Sequence, residues 1–200
     1  MKPIKAQPRR ARQRGYTLVE LMMALALFTV AVLGIISMQK ITAASNGHAK
    51  NVVIAQRIAQ AWAGQLEMDA TAWQNTAFGT GWLNDANVWQ RPAYIAARRF
   101  GGAFDALGNP LADNDVGQAR FCTHLRMAWL YPTTMGAGGN GMLRAEIRVF
   151  WLRDDERALD SNATMCSTAQ TAVQAKDIGL AVDRYRFVYQ AVGVRQHSQI

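Results

Sequence analysis

The sequence predicts an α+β protein in which the outer half of a long N-terminal helix packs on a small antiparallel β-sheet. Three observations support this prediction. An uncharged apolar run at residues 21–38 continues without a proline into an amphipathic stretch that ends near residue 68. Glycine and proline then interrupt residues 69–120, and alternating apolar positions begin at Phe121. A period of 3.6 residues is typical of a helix facing a core, and a period of two is typical of a half-buried strand.

The first 14 residues are basic and contain no acid. Their cations are Lys2, Lys5, Arg9, Arg10, Arg12 and Arg14. This bias predicts that the segment stays on the cytoplasmic side of a membrane. It also explains most of the net charge of +8, because setting aside these six of the 22 Lys and Arg leaves 16 against 14 Asp and Glu. Such a small excess does not indicate the electrostatic footprint of a DNA-binding domain.

The apolar run is close to the length that crosses a bilayer as a helix. Residues 21–38 carry no charge and only Thr29 and Ser37 as polar interruptions, and roughly 20 such residues span the hydrocarbon core. Glu20 at the leading edge is unusual, because a charge at the bilayer centre costs about 2.5–3.5 kcal/mol. Two alternatives are a secretory signal peptide cleaved near Thr42-Ala43-Ala44, which would need a shorter apolar region, and a plain single-pass anchor with an incidental glutamate.

The motif at the start of this run resembles the class III signal of type IV prepilins and pseudopilins. It reads Arg12-Gln13-Arg14-Gly15, then Tyr16-Thr17-Leu18-Val19-Glu20-Leu21. The resemblance implies that a prepilin peptidase cleaves between Gly15 and Tyr16 and methylates the new amino terminus at Tyr16, a position where phenylalanine is commoner. Glu20 becomes the fifth residue of the mature chain. The resemblance further implies that Glu20 approaches the terminal amine of a neighbouring subunit when helices stack into a filament.

We therefore expect a type IV pilin-like α+β fold in four segments. These are a removed leader (1–15), a transmembrane and filament-core helix (16–38), an amphipathic continuation of that helix (39–68) and a globular domain (69–200). The continuation places apolar residues near a helical period at Ile41, Ala44, Val52, Ala55, Ile58, Trp62 and Leu66. A bend or break at Asn46-Gly47 is left open, since glycine costs about 1 kcal/mol relative to alanine inside a helix.

Residues 69–120 are predicted to form a looped connection packed on the helix by its aromatic side chains. Trp73, Trp82 and Trp89 are the aromatics concerned, and an exposed carbohydrate-binding or aromatic-binding face is the alternative use for them. Asp113-Asn114-Asp115 is interpreted as a solvated turn, because it lacks the glycine and the terminal glutamate of an EF-hand calcium loop.

Three alternating runs predict antiparallel strands within residues 121–200. One apolar face runs from Phe121 to Tyr131, and a second comprises Leu143, Ala145, Ile147, Val149 and Trp151, with Arg144, Glu146 and Arg148 on the opposite face. The third run sets Tyr185, Phe187, Tyr189 and Ala191 opposite Arg184, Arg186 and Gln190. The glycine-rich link at residues 135–141 is typical of a flexible hairpin loop, and no Lys-Ser or Lys-Thr pair follows that would make it a phosphate-binding loop.

Cys122 and Cys166 are the two cysteines of the chain. An even count outside the cytoplasm favours one disulfide, which would fasten the connection before the last strand to the sheet. Closing a loop of about 45 residues would stabilise the domain by roughly 3–4.7 kcal/mol. The alternative is two buried free thiols.

No catalytic constellation, metal site or cofactor motif is predicted. His48, His124 and His197 have no paired-ligand spacing. Asp154-Asp155-Glu156 follows directly on a strand and is interpreted as a solvated turn. Asn162 begins a glycosylation sequon, but this pattern is short and common and is weak evidence for glycosylation. We expect a substrate of an enzyme and not an enzyme.

The resemblance implies a minor pilin of a type IV pilus that takes part in the initiation of pilus assembly in a tip complex. The exit of the apolar helix at residues 33–39 and the strand at residues 148–151 resemble those of PilV-type minor pilins. Implied partners are the prepilin peptidase, other minor and major pilins, the inner membrane and a tip adhesin. The chain would cross the inner membrane once, with a periplasmic globular domain, and then join a cell-surface pilus.

Three alternatives to the minor pilin remain open. They are a minor pseudopilin of a type II secretion system, a major pilin, and an adhesive or DNA-binding module at a pilus tip. The DNA-binding module would need a basic surface patch, for which Arg91, Arg98, Arg99 and Arg120 are the candidates.

Overall fold

The computed structural model describes residues 17–70, 87–131, 142–153, 165–167 and 169–195. The chain divides into two compact units, residues 1–48 and residues 49–200. Several predicted features lie outside the described residues: the leader with Gly15 and Tyr16, Trp73, Trp82, the link at 135–141, Asp154-Asp155-Glu156, Asn162 and His197.

Helix α1 spans Leu18–Ala70 and confirms the long N-terminal helix that the sequence predicts as far as residue 68. Thr17 precedes its first turn, and the backbone N–H of Glu20 donates to Thr17 Oγ1 at 3.3 Å. This is an N-cap, which satisfies one of the amide donors that the first turn of a helix leaves without a partner. Asn46 and Gly47 are both helical, so the helix does not break there.

The second unit contains one five-stranded antiparallel sheet of order β2-β1-β3-β4-β5. Its strands are β1 (Ala103–Phe104), β2 (Pro110–Leu111), β3 (Phe121–Tyr131), β4 (Met142–Leu152) and β5 (Tyr185–Arg195). The three long strands are those that the alternation predicts. The two short strands and the 3-10 helices Ala96–Arg98 and Asp113–Gln118 correct the expectation of a loop at residues 69–120. Elements of two to six residues are too short to produce a periodic signal.

The main core lies between α1 and one face of the sheet. The helix contributes Ile54, Ala55, Ile58, Ala59, Trp62 and Leu66. The sheet contributes the alternating side chains predicted for it, including Leu125, Met127, Leu143, Ile147 and Val149. Burial of apolar surface, worth roughly 25 cal/mol per Å², is therefore what holds the outer half of α1 on the sheet.

Aromatic residues of the connection do pack on the helix, as predicted, and those that the structure describes there are Phe100 and Phe104. The ring of Phe100 lies 4.7 Å from that of Trp62, and Phe104 lies 5.6 Å from Phe100. The placement predicted for Trp89 is wrong, since its ring contacts Arg126 and Arg148 on the opposite face of the sheet.

The opposite face of the sheet is covered as well. Ile178 of helix α2 (Ala172–Leu180) packs against a second core that contains Phe150, Leu152 and Tyr185, and Ala175 of the same helix is buried. The sequence pattern leaves Arg148 on the polar side of a half-buried strand, and this expectation is wrong because Arg148 is only 2 % exposed beneath α2. A capping box of Thr171 and Gln174 begins α2 and is the sequence signal that could have revealed it.

The disulfide joins Cys122 on β3 to Cys166, with 5.5 Å between their Cα atoms. Both cysteines are fully buried in the second core. The bond therefore fastens the segment that leads into α2 to the middle of the sheet.

Substituting Gly108 by alanine is expected to destabilise the second unit by about 1–2 kcal/mol. Gly108 has φ of +88°, a conformation that costs a residue with a Cβ roughly that much. A Cβ there would also lie 3.0 Å from Cγ2 of Ile54 on α1. Urea unfolding of the full chain in detergent measures the loss. Gly117→Ala is the matched control, because a Cβ at Gly117 meets nothing within 4 Å; an equal loss in both variants would contradict the explanation.

Candidate functional site

The first unit presents a continuous apolar surface. Every large apolar side chain from Leu18 to Met38 on α1 is exposed, apart from Val32, which is half-buried. Exposed apolar patches beyond a few hundred Å² mark sites of membrane or protein association. Glu20 lies in the first turn of this surface.

The polar groups of this surface are satisfied within the helix. Thr29 Oγ1 donates to the carbonyl of Ala26 at 2.8 Å, and Ser37 Oγ donates to the carbonyl of Gly34 at 2.9 Å. A hydroxyl bonded to its own helix needs no water, so it is compatible with a hydrocarbon environment. Glu20 remains as the charged group of the run.

The helix is long and apolar enough to span a membrane. None of its most apolar 18-residue window is buried inside the protein, which distinguishes this helix from the core helix of a soluble domain.

A second group of hydrogen-bonded polar side chains lies between the sheet and α2. His124 and Arg148 are directly opposite each other on β3 and β4, and Arg148 Nη2 donates to His124 Nδ1 at 2.6 Å and to the carbonyl of Ala175. His124 Nε2 lies 2.7 Å from Oε1 of Gln170. Since Nδ1 accepts, the ring carries its proton on Nε2 and is neutral.

Burial lowers the pKa of His124 from 6.5 to about 3, and the adjacent positive charge of Arg148 acts in the same direction. The hydrogen bond to Gln170 opposes this shift. Burial also lowers the pKa of the Arg148 guanidinium, and its hydrogen bond with Tyr189 opposes that change. His124 is therefore a neutral acceptor that helps to hold a buried arginine in place.

The free energy of unfolding is expected to fall as the pH drops below 6.5, the pKa of a free imidazole side chain. The folded-state pKa of His124 is depressed, so the unfolded chain binds a proton more readily, and the contribution is full above pH 6.5 and declines toward pH 3. Between pH 7 and pH 5 the loss amounts to roughly 2 kcal/mol. Urea unfolding at the two pH values measures it. His124→Gln retains a donor and an acceptor without titrating, and an unchanged pH dependence in that variant would contradict the assignment.

Trp89 lies against two guanidinium groups. The Cζ atoms of Arg148 and Arg126 are 4.4 and 4.9 Å from the centroid of its ring, within the range of cation–π attraction. Arg126 also donates to Oε2 of Glu146, through Nε at 2.7 Å, and Arg144 donates to the other oxygen of the same carboxylate at 2.7 Å. Two arginines thus share one acid.

A cavity of about 590 Å³ opens beside these residues. It is lined by Asn87, Val88, Trp89, Arg126, Arg148, Val173, Lys176, Gly179, Leu180 and Tyr189. Sequence reasoning missed this site, because its walls come from five separate stretches of chain and depend on the position of α2. Lys176, Arg126 and Arg148 occupy positions that, in the sequence alone, indicate a face exposed to solvent.

The four arginines proposed for a DNA-binding patch do not form one exposed cluster. Arg91 donates to Asp113 at 2.7 Å and its side chain is 4 % exposed, whereas Arg98 is paired with Asp69 on α1. Arg120 is buried and Arg99 is exposed. Paired and buried arginines are poorly available to phosphates, so this alternative has no support from their placement.

One comparison with known proteins identifies a motif. Residues 10–36 match the family described as "Prokaryotic N-terminal methylation motif". No curated protein and no solved structure is significantly similar to the chain. The matched residues include Glu20 and most of the exposed apolar run.

The match covers residues 10–36, and the fold of the described residues adds separate information. A class III signal implies processing by a prepilin peptidase and association with pilins, and with the apolar helix it supports anchoring in the inner membrane before assembly. A long N-terminal helix packed on a small antiparallel sheet is the architecture of type IV pilins. The motif and the fold together support a pilin-type or pseudopilin-type protein of a type IV pilus or a type II secretion system.

Proposed function

We propose that this chain is a minor pilin of a type IV pilus, of the PilV type, and that it takes part in the tip complex that initiates pilus assembly. The observation that carries the proposal is the exposed apolar surface of α1 with Glu20 at its head, within a prokaryotic N-terminal methylation motif. The same surface would serve first as a membrane anchor and then as a packing surface among the helices of a filament.

Electrostatics gives the assembly step its direction. Removal of residues 1–15 would create a cationic amine at Tyr16, four residues before Glu20. A carboxylate in lipid is costly while it lacks a partner. When α1 packs against the helix of a neighbouring subunit, Glu20 would pair with that neighbour's terminal amine and lose this penalty. The charge therefore favours the filament over the isolated subunit in the bilayer.

The mature chain is expected to begin at Tyr16 with a methylated amino group. Mass spectrometry of the protein purified from its own membranes measures this directly, and a strain without the prepilin peptidase supplies the control, in which the chain should begin at Met1. A native product that still carries the leader, or that begins beyond residue 38, would overturn the proposal.

A deletion strain separates the pilus from the secretion system. A minor pilin that initiates assembly should reduce the number of surface pili when it is absent, with recovery when the chain is supplied again. Normal piliation combined with a block in protein secretion would assign the chain to a pseudopilus and refute the pilus proposal.

A further inference from the structure

The cavity between α2 and the sheet carries an excess of positive charge. Among its lining residues that the structure describes, Arg126, Arg148 and Lys176 are cationic and none is acidic. Glu146 is not among these lining residues, and it is already shared by Arg126 and Arg144. An anion that entered the cavity would therefore meet an attractive field.

Arg148 is the strongest element of that field. The residue is 2 % exposed, and within the described part of the chain no carboxylate pairs with it. Its partners are instead His124, the carbonyl of Ala175 and Tyr189, and Nε has no hydrogen-bond partner there. A buried cation without an anion is costly, and a bound anion would remove part of that cost.

The mouth of the cavity carries apolar side chains beside Lys176. Val173 and Leu180 on α2 are 67 % and 69 % exposed, and Val88, Trp89 and Tyr189 also line the cavity. A volume of about 590 Å³ falls in the usual range for small-ligand sites. The apolar side chains of the rim disfavour a strongly hydrated dianion such as phosphate, because they offer no donors to replace its water.

We propose that this cavity binds a carboxylate carried on an apolar body. The planar guanidinium groups suit a carboxylate, and the rim suits an aromatic or aliphatic group next to it. Such a ligand could be a small aromatic acid or the C-terminal carboxylate of a partner protein; the carboxylate is the chemistry that they share. The inference is independent of the role in pilus assembly, since binding is measured on the isolated chain.

Titration of the full chain in detergent with phenylacetate tests the proposal. The readout is the ¹H–¹⁵N resonance of the Trp89 indole, assigned by its loss in Trp89→Phe, because Trp89 lies in the cavity wall. Phenylacetamide is the neutral counterpart. The free concentrations of phenylacetate and phenylacetamide are measured from their own NMR signals. We expect a saturable shift with phenylacetate and at least tenfold weaker binding of the amide. Equal binding of the two, or no saturable shift with either, would overturn the proposal.

Charge variants test the same point without disturbing the buried arginine. Lys176 is exposed on the rim, so Lys176→Gln should weaken phenylacetate binding about threefold and Lys176→Glu about tenfold. Lys50→Gln and Lys50→Glu remove or reverse an exposed charge on α1, on the other side of the sheet, and should change binding less than twofold. Equal effects at the two lysines would refute a local carboxylate site.

A pair of peptides distinguishes the two sources of the ligand. N-acetyl-glycyl-phenylalanine with a free carboxylate imitates a protein C-terminus, and its C-terminal amide is the control. Tighter binding of the peptide acid than of phenylacetate assigns the site to a protein terminus, and the reverse order assigns it to a small acid. Either order supports the proposal, provided that each amide binds more weakly than its acid; a peptide amide that matches its acid counts against it.

Discussion

Replacing Glu20 by alanine is expected to leave leader removal and methylation largely intact while reducing incorporation of the chain into pili by an order of magnitude or more. The cleavage position, Gly15 to Tyr16, lies outside the apolar run, whereas Glu20 lies in the first turn of the exposed surface of α1. Without its carboxylate, the helix loses the charge that would pair with a neighbour's terminal amine, and the isolated subunit is no longer penalised in lipid. Immunoblots of sheared pili and of membranes, normalised to each other, measure the effect.

Three further variants make this result specific to the charge. Glu20→Gln keeps the size of the side chain and removes the charge, and should fail like the alanine variant. Glu20→Asp keeps the charge on a shorter side chain and should retain part of the incorporation. Glu67→Ala removes an exposed glutamate from the outer half of the same helix and should assemble normally. Normal incorporation of Glu20→Ala, or an equal defect in Glu67→Ala, would show that Glu20 has no special role in assembly.

The sequence predicts those helices and strands in which apolar side chains recur with the period of a helix or of a strand. Phe121, Leu125 and Met127 alternate along β3, and the same residues form the core against α1. Glu20 stands out because a charge in an apolar run is costly wherever the run lies. These features are local, so a single stretch of chain contains all the information that they require.

The second layer of the domain could not be predicted in the same way. Helix α2 has only nine residues, and their apolar positions give little periodicity. Arg148 occupies the polar position of an alternating strand, and only the placement of α2 over it reveals that it is buried. His124 meets Arg148 through the register of β3 with β4, which brings together two residues that are 24 positions apart in the sequence. The site around Arg148 is formed by contacts between stretches that are distant in sequence, and no sequence motif predicts such contacts.

The disulfide connects the sheet to the segment that leads into α2. Its loss is expected to lower the free energy of unfolding by about 3–4 kcal/mol. Cys122 and Cys166 are 44 residues apart in sequence, and a closed loop of that length restricts the unfolded chain by roughly this amount. Cys166 also precedes Gln170, which bonds His124, and Thr171, which caps α2. Breaking the bond should therefore loosen α2 before it loosens α1.

Two ways of removing the bond separate the cross-link from the packing of its sulfur atoms. Reduction of the native chain keeps both buried sulfurs, whereas the double variant Cys122→Ala, Cys166→Ala also removes them, so the double variant should be the less stable of the two by the cost of the cavity. Urea unfolding measures both losses, and hydrogen exchange should show faster exchange of the α2 amides than of the amides at residues 54–66. A reduced chain that matches the oxidised chain within about 0.5 kcal/mol would mean that packing alone holds α2 over Arg148.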